Sequence, residues 1–137
     1  MDQEGLPQDS TLAITLASTP DAAARARAEL TAWPAAGRLD DTLLDDARLL
    51  TSELVTNSFR HAGIALNAPV SLTAWLRAAT LHVEIHDQGT DGNVAWRTPQ
   101  RHEDSGGFGL DLVAQLSSAW GIERDTRGTT VWFELIV

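Results

Sequence analysis

Asp40–His61 carries apolar or small residues at helical spacing, and this run constrains the chain more than any other feature. Leu43, Ala47, Leu50, Leu54 and Ser58 recur at intervals of three and four. That is the signature of a helix with one face turned to a core. Gly63 just beyond the run is the expected stop. A helix of that length spans about 30 Å, the diameter of a small domain. The chain has 137 residues, enough for one such domain, so the remaining elements have to pack against this helix.

Those elements follow from pattern and punctuation. Thr11–Ala17 reads as a first strand. A helix opens at Thr19-Pro20-Asp21 and runs to about Trp33, with Pro34, Gly37 and Asp40 marking the turn after it. Pro69–Ala78 and Thr80–Asp87 alternate like two strands joined by a short turn at Ala78-Ala79. Gln88–Gly107 shows no period, and a loop of that length in a small domain is usually functional. Helical spacing returns over Gly109–Trp120, and Gly121–Asp125 with Thr129–Val137 form a hairpin around Arg127-Gly128. The expected fold class is α+β, a two-layer sandwich whose sheet is mixed but mostly antiparallel, with helices on one face. Met1–Ser10 is expected to be a disordered lead-in, and residues 11–137 a single domain.

Composition removes whole classes of chemistry. The chain has no Cys, so thiol catalysis, disulfides and Cys-based zinc sites are excluded. It has no Lys either, since all ten basic residues are Arg. That removes the phosphate-binding P-loop, the protein-kinase strand Lys and Schiff-base chemistry. Nineteen acidic residues give a net charge of −9, which argues against a nucleic-acid or anionic-membrane surface. No apolar run reaches a membrane span, and the N-terminus lacks a signal-peptide layout. The expected compartment is the cytoplasm.

Several residues carry possible chemistry. Glu53, Asn57 and His61 share one face of the long helix, either as a solvated stripe or as a base and a Mg²⁺ oxygen ligand at the edge of the core. On the strand that ends at Asp87, Val83, Ile85 and Asp87 point one way while His82, Glu84 and His86 point the other. The outward trio reads as a solvated sheet face or, less simply, as a His/Glu metal site. Asp87 falls on the apolar face, where a carboxylate needs a partner. Thr129 shares an apolar face with Val131, Phe133 and Leu135. Asp87 and Thr129 therefore form either a cradle for a purine amino group or a local pair that satisfies both. Gly106-Gly107-Phe108-Gly109-Leu110 ends the irregular loop and opens a helix, as a phosphate-binding turn or a plain junction. Arg97, Arg101 and His102 make the only basic cluster, offset by Glu103 and Asp104.

Together these pieces resemble the GHKL ATPases, the superfamily of gyrase, the 90-kDa-class heat-shock chaperone, histidine kinases and MutL. Glu53-Leu54-Val55-Thr56-Asn57-Ser58-Phe59-Arg60-His61 looks like the N box, and Asp87-Gln88-Gly89 like the first glycine box. Gly107-Phe108-Gly109-Leu110-Asp111-Leu112-Val113 looks like the box that ends the ATP lid, and Gly128-Thr129 like the late-strand Thr that supports the adenine-binding Asp. The whole chain is similar to the small bacterial anti-sigma-factor kinases. Its Arg-only, Ala-rich composition suits a GC-rich, actinobacterial type of genome. No upstream hairpin with a phosphoacceptor His is present, so a stand-alone domain is expected rather than a complete histidine kinase.

The resemblance implies ATP and Mg²⁺ as cofactors, Glu53 as the catalytic base, and Asn57 as the metal ligand. It implies nucleotide contacts at Asn57, Asp87, Gly89, Gly107, Phe108, Gly109, Leu110 and Thr129, and a lid over Thr90–Gly106. The implied partners are a sigma factor and an antagonist protein phosphorylated on Ser or Thr, with a homodimer as the assembly and no direct contact with nucleic acid or membrane. One position departs from the family: the first glycine box commonly reads DxGxG, whereas Asp91 here stands at the second Gly and Gly92 follows it. A binding module without turnover and an ATP hydrolase are the alternatives, because both keep the same pocket.

Overall fold

The computed structural model describes residues 10–17, 19–61, 69–88 and 110–137. Five strands form one sheet: β1 (Thr11–Leu16), β2 (Val70–Arg77), β3 (Thr80–Asp87), β4 (Ala119–Asp125) and β5 (Gly128–Ile136). Their spatial order is β1-β2-β3-β5-β4, so the last strand inserts between β3 and β4. All four pairings are antiparallel. Among the described residues the sheet expected to be mixed but mostly antiparallel is wholly antiparallel, because each of its ladders joins strands that run in opposite senses.

Three helices cover one face: α1 (Ala22–Ala32), α2 (Asp41–His61) and α3 (Leu110–Leu116). A 3₁₀ turn over Pro34–Arg38 links α1 to α2, in the stretch that sequence marks only as a turn. Helix α2 has the expected extent, and the Asp40 carboxylate accepts the Leu43 backbone N–H at 2.8 Å to cap it. Gly63, its expected stop, lies outside the described residues. Helix α1 packs along α2, where Arg27 donates to the Ser52 hydroxyl at 2.7 Å. Pro20 and the N-cap Asp21 immediately precede the first helical residue, Ala22.

One boundary shifts appreciably. The helix expected to run to Trp120 stops at Leu116. The Ser117 N–H still bonds back to the Val113 carbonyl, but the Ser118 N–H goes instead to the Glu134 carbonyl at 2.8 Å. Pairing with β5 therefore captures the chain two residues earlier than helical spacing suggests, and Ala119 and Trp120 join β4. Residues 1–9 of the expected lead-in lie outside the described residues, and Ser10 is buried.

The core lies between the layers. Leu50, Leu54 and Val55 of α2 meet Val83 and Ile85 of β3 and Val131 and Phe133 of β5, all fully buried in one cluster. Burying such side chains stabilises by about 1.5–3 kcal/mol each before entropy is counted. The β2–β3 turn places Ala78 at φ 49°, a left-handed conformation that costs an L-residue about 1–2 kcal/mol.

Candidate functional site

Helix α2 packs against β3 and β5, and Glu53, Asn57, Asp87 and Thr129 are carried by these three elements. Strand alternation aims Val83, Ile85 and Asp87 at the helices, and all three are buried. On β5, Thr129, Val131 and Phe133 do the same. Asp87 and Thr129 are direct partners in the β3–β5 register. Their burial, at 1% and 0% exposure, puts a carboxylate and a hydroxyl side by side at one end of the core. Sequence leaves their adjacency open; the register establishes it.

Gly128 makes this junction possible; sequence places it in the Arg127-Gly128 turn and the Gly128-Thr129 motif but misses the contact that requires it. Its φ is +138°, and a Cβ there would stand 1.9 Å from the Asp87 carbonyl oxygen and 2.8 Å from Gln88 Cα. Only glycine tolerates both the conformation and the approach. The available signal was a Gly immediately before the Thr that opens an apolar strand face.

Helix α2 contributes its own polar groups to the interior. Asn57 is 1% exposed, so the Glu53–Asn57 stripe is not simply solvated; Glu53, one turn earlier, is half-buried. Helical backbone continues to His61. Ser58, which sequence assigns to the apolar stripe, is fully buried, as is Thr51. The Asn57 amide nitrogen and the hydroxyls of Thr51, Ser58 and Thr129 have no hydrogen-bond partner among the described residues. Buried polar atoms normally find partners, and Asn57 and Thr129 are the two of these that belong to the contact positions singled out in the sequence. Leu110, the first residue of α3, is buried beside α2. The expected contacts Gly89, Gly107, Phe108 and Gly109, the expected lid Thr90–Gly106, and Arg97, Arg101 and His102 lie outside the described residues.

An apolar cavity of about 270 Å³ opens elsewhere, between Thr19, Pro20 and Ala22 at the start of α1 and Val55 and Phe59 on α2. Neither Asn57 nor Asp87 lines it, so it is not the site assembled above.

On the outward face of β3 the His82 ring is buried while Glu84 and His86 stay half-exposed. The His82 ring stacks on Trp75 at 4.0 Å and on Trp132 at 5.5 Å between centroids. Its Nδ1 lies 2.9 Å from Glu134 and its Nε2 3.0 Å from Glu84. Two indoles and two carboxylates occupy the ring, and His86 is held by the Thr130 hydroxyl. No group of three potential metal ligands occurs among the described residues.

A family model described as the histidine kinase-like ATPase domain matches residues 16–135. Among solved structures, the RsbU and RsbW domains of Rv1364c from Mycobacterium tuberculosis match with a TM-score of 0.70 and 25% sequence identity. That match covers 92% of this chain and 31% of the other, so the chain spans about a third of its structural relative. No curated protein matches the sequence significantly. Among the described residues, no helix is long and apolar enough to cross a membrane.

Proposed function

Because the chain belongs to the histidine kinase-like ATPase domain family, we propose that it is an ATP–Mg²⁺-dependent regulator of the anti-sigma-factor type. In this reading it phosphorylates a Ser or Thr on an antagonist protein and sequesters a sigma factor. The observation that carries the reading is the buried Asp87–Thr129 pair on the strands that α2 packs against, together with the buried, unpartnered amide nitrogen of Asn57 on that helix. A carboxylate at the end of an apolar strand face accepts the exocyclic amino group of adenine, and Thr129 supports it from the neighbouring strand. Gly128 keeps the two strands close at that point.

Asn57 suits Mg²⁺ by its chemistry. A carboxamide oxygen one helical turn from a carboxylate is a hard-oxygen set of the kind that ion takes together with phosphate oxygens. When bound, the ion neutralises charge on the phosphates. The half-buried Glu53 accepts the proton of the acceptor hydroxyl. The hydroxyl oxygen forms the new P–O bond as the bond between the γ-phosphorus and the ADP oxygen breaks, and ADP leaves. Positioning and charge neutralisation supply most of the acceleration. The phosphate adds a charge of about −1.5 to −2 to the antagonist, which weakens its contact with a chain of net charge −9. Gly89, Gly107, Phe108, Gly109 and Leu110 complete the nucleotide contacts in this reading.

The test is a labelled-phosphate transfer assay with candidate antagonist proteins, comparing wild type with Glu53→Gln. The kinase reading expects label on Ser or Thr of the antagonist, and a rate about 10²–10⁴ lower in the variant with ATP affinity nearly kept. Label released only as free phosphate makes the protein a hydrolase. Tight ATP binding with no turnover makes it a binding module, the outcome that Asp91 in the first glycine box favours. Undiminished transfer in Glu53→Gln removes the base role.

A further inference from the structure

Side chains tie β3 to β5 on the outer face of the sheet as well as meeting on its inner face. The inner face carries the buried Asp87 and Thr129. On the outer face, His82 Nδ1 lies 2.9 Å from the Glu134 carboxylate and His86 Nδ1 lies 2.9 Å from the Thr130 hydroxyl. Each of these bonds joins direct register partners. The two histidines stand four residues apart, so strand alternation turns both the same way. The Thr130 hydroxyl can donate or accept, so its bond forms whichever tautomer the His86 ring adopts.

The two bonds differ in where they fall along the ladder. Strand β3 ends at Asp87, and Asp87↔Thr129 is the last pair of its register with β5. Val70↔Asp87 is likewise the end pair of its register with β2. An end pair has a ladder on one side only, and it opens more readily than a pair inside the sheet. The pair that immediately precedes it is His86↔Thr130. Gly128 permits the close approach of the strands here, where a Cβ would meet the Asp87 carbonyl oxygen at 1.9 Å. A glycine permits that approach but has no side chain to hold it. The adjacent His86–Thr130 bond supplies the hold, from the face opposite to Asp87 and Thr129.

We propose that His86 and Thr130 are positioning residues for nucleotide selectivity. Their bond clasps the ends of β3 and β5, and through the backbone it fixes how Asp87 and Thr129 meet the purine. The inference rests on the reading of Asp87 as the acceptor of the adenine amino group. Hydrogen bonds weaken steeply when misaligned, so a carboxylate displaced by strand opening separates an amino group from a carbonyl less well. Selectivity then depends on a pair that touches no ligand. A bond that served stability alone would leave selectivity unmoved when removed. His82–Glu134 provides the comparison: it crosses the same two strands, but five residues from Asp87, about 17 Å along the strand.

Calorimetry with ATP and with GTP on wild type and variants, beside denaturant unfolding of each, tests this. Thr130→Val keeps the β-branched shape and removes the hydroxyl. The ratio of ATP to GTP affinity is expected to fall about 2–10-fold in this variant, the worth of one hydrogen bond. Thr130→Ser is expected to recover it. His86→Phe removes the same bond from the other strand and is expected to lower the ratio likewise. His82→Phe keeps a ring between the two indoles but loses the bonds to Glu84 and Glu134. It is expected to lower stability and leave the ratio at the wild-type value. A ratio that Asp87→Ala abolishes while Thr130→Val and His86→Phe leave it intact overturns the proposal and spares the adenine reading. A ratio that falls as far in His82→Phe also overturns it, since the cause is then a general loosening of the sheet. Equal affinities for ATP and GTP in wild type overturn the adenine reading itself, and this inference with it.

Discussion

Asp87 of β3 stands directly opposite Thr129 of β5, and the two side chains are buried together at the end of a core that is otherwise apolar. Neither residue belongs there on hydrophobic grounds. Burying a carboxylate costs several kcal/mol unless charge or hydrogen bonds compensate. A site that accepts this cost gains discrimination, since a ligand without the matching donor leaves the acceptor unpaired.

Nucleotide selectivity follows from that pair. Guanine presents a carbonyl where adenine presents its amino group, and leaving a buried acceptor unmatched costs about 1–3 kcal/mol, a factor of about 5–150 in affinity. Calorimetry is expected to show ATP binding more tightly than GTP by that factor, and Asp87→Ala to abolish the difference. Equal affinities in the wild type would remove Asp87 from the adenine site.

Gly128→Ala is expected to damage the same junction from the backbone side. The added methyl meets the Asp87 carbonyl oxygen at 1.9 Å, so β5 has to move away from β3. The expected cost is about 3 kcal/mol or more, at the severe end for single substitutions, with ATP affinity falling alongside it. Denaturant unfolding at wild-type stability would show that the close approach is dispensable.

The β2–β3 turn offers the opposite change. Ala78 sits at φ 49°, where glycine carries no steric penalty. Ala78→Gly is expected to raise stability by up to about 1 kcal/mol, the relief of strain less the added entropy of the unfolded chain. A lowered melting temperature would contradict this.

Asp21 ties stability to pH at the start of α1. The Thr19 hydroxyl donates to its carboxylate and holds its pKa below the ordinary 3.8, with Arg25 adding a smaller effect in the same direction. A carboxyl whose folded pKa is depressed contributes stability above its unfolded pKa and loses it as pH falls through the folded value. The stability gap between wild type and Asp21→Asn is therefore expected to be constant above about 3.8 and to close below it. A gap that widens on acidification would reverse the assignment.

The sequence by itself determined whatever depends on neighbours along the chain. The three- and four-residue spacing of Leu43, Ala47, Leu50 and Leu54 reports a helix because such spacing aligns side chains on one face, and α2 follows it to His61. Alternation put Asp87 and Thr129 on apolar faces, and both are buried. Tertiary structure alone decided what lies across the chain. The insertion of β5 between β3 and β4 set Asp87 against Thr129, turned Gly128 from a turn residue into a required contact, and ended α3 early by capturing Ser118. It also enclosed His82 between Trp75 and Trp132, on a face whose alternation reads as solvated. Pairing between distant segments is chosen by the fit of whole faces and by competition for backbone hydrogen bonds, and neither quantity is encoded in a local window of residues.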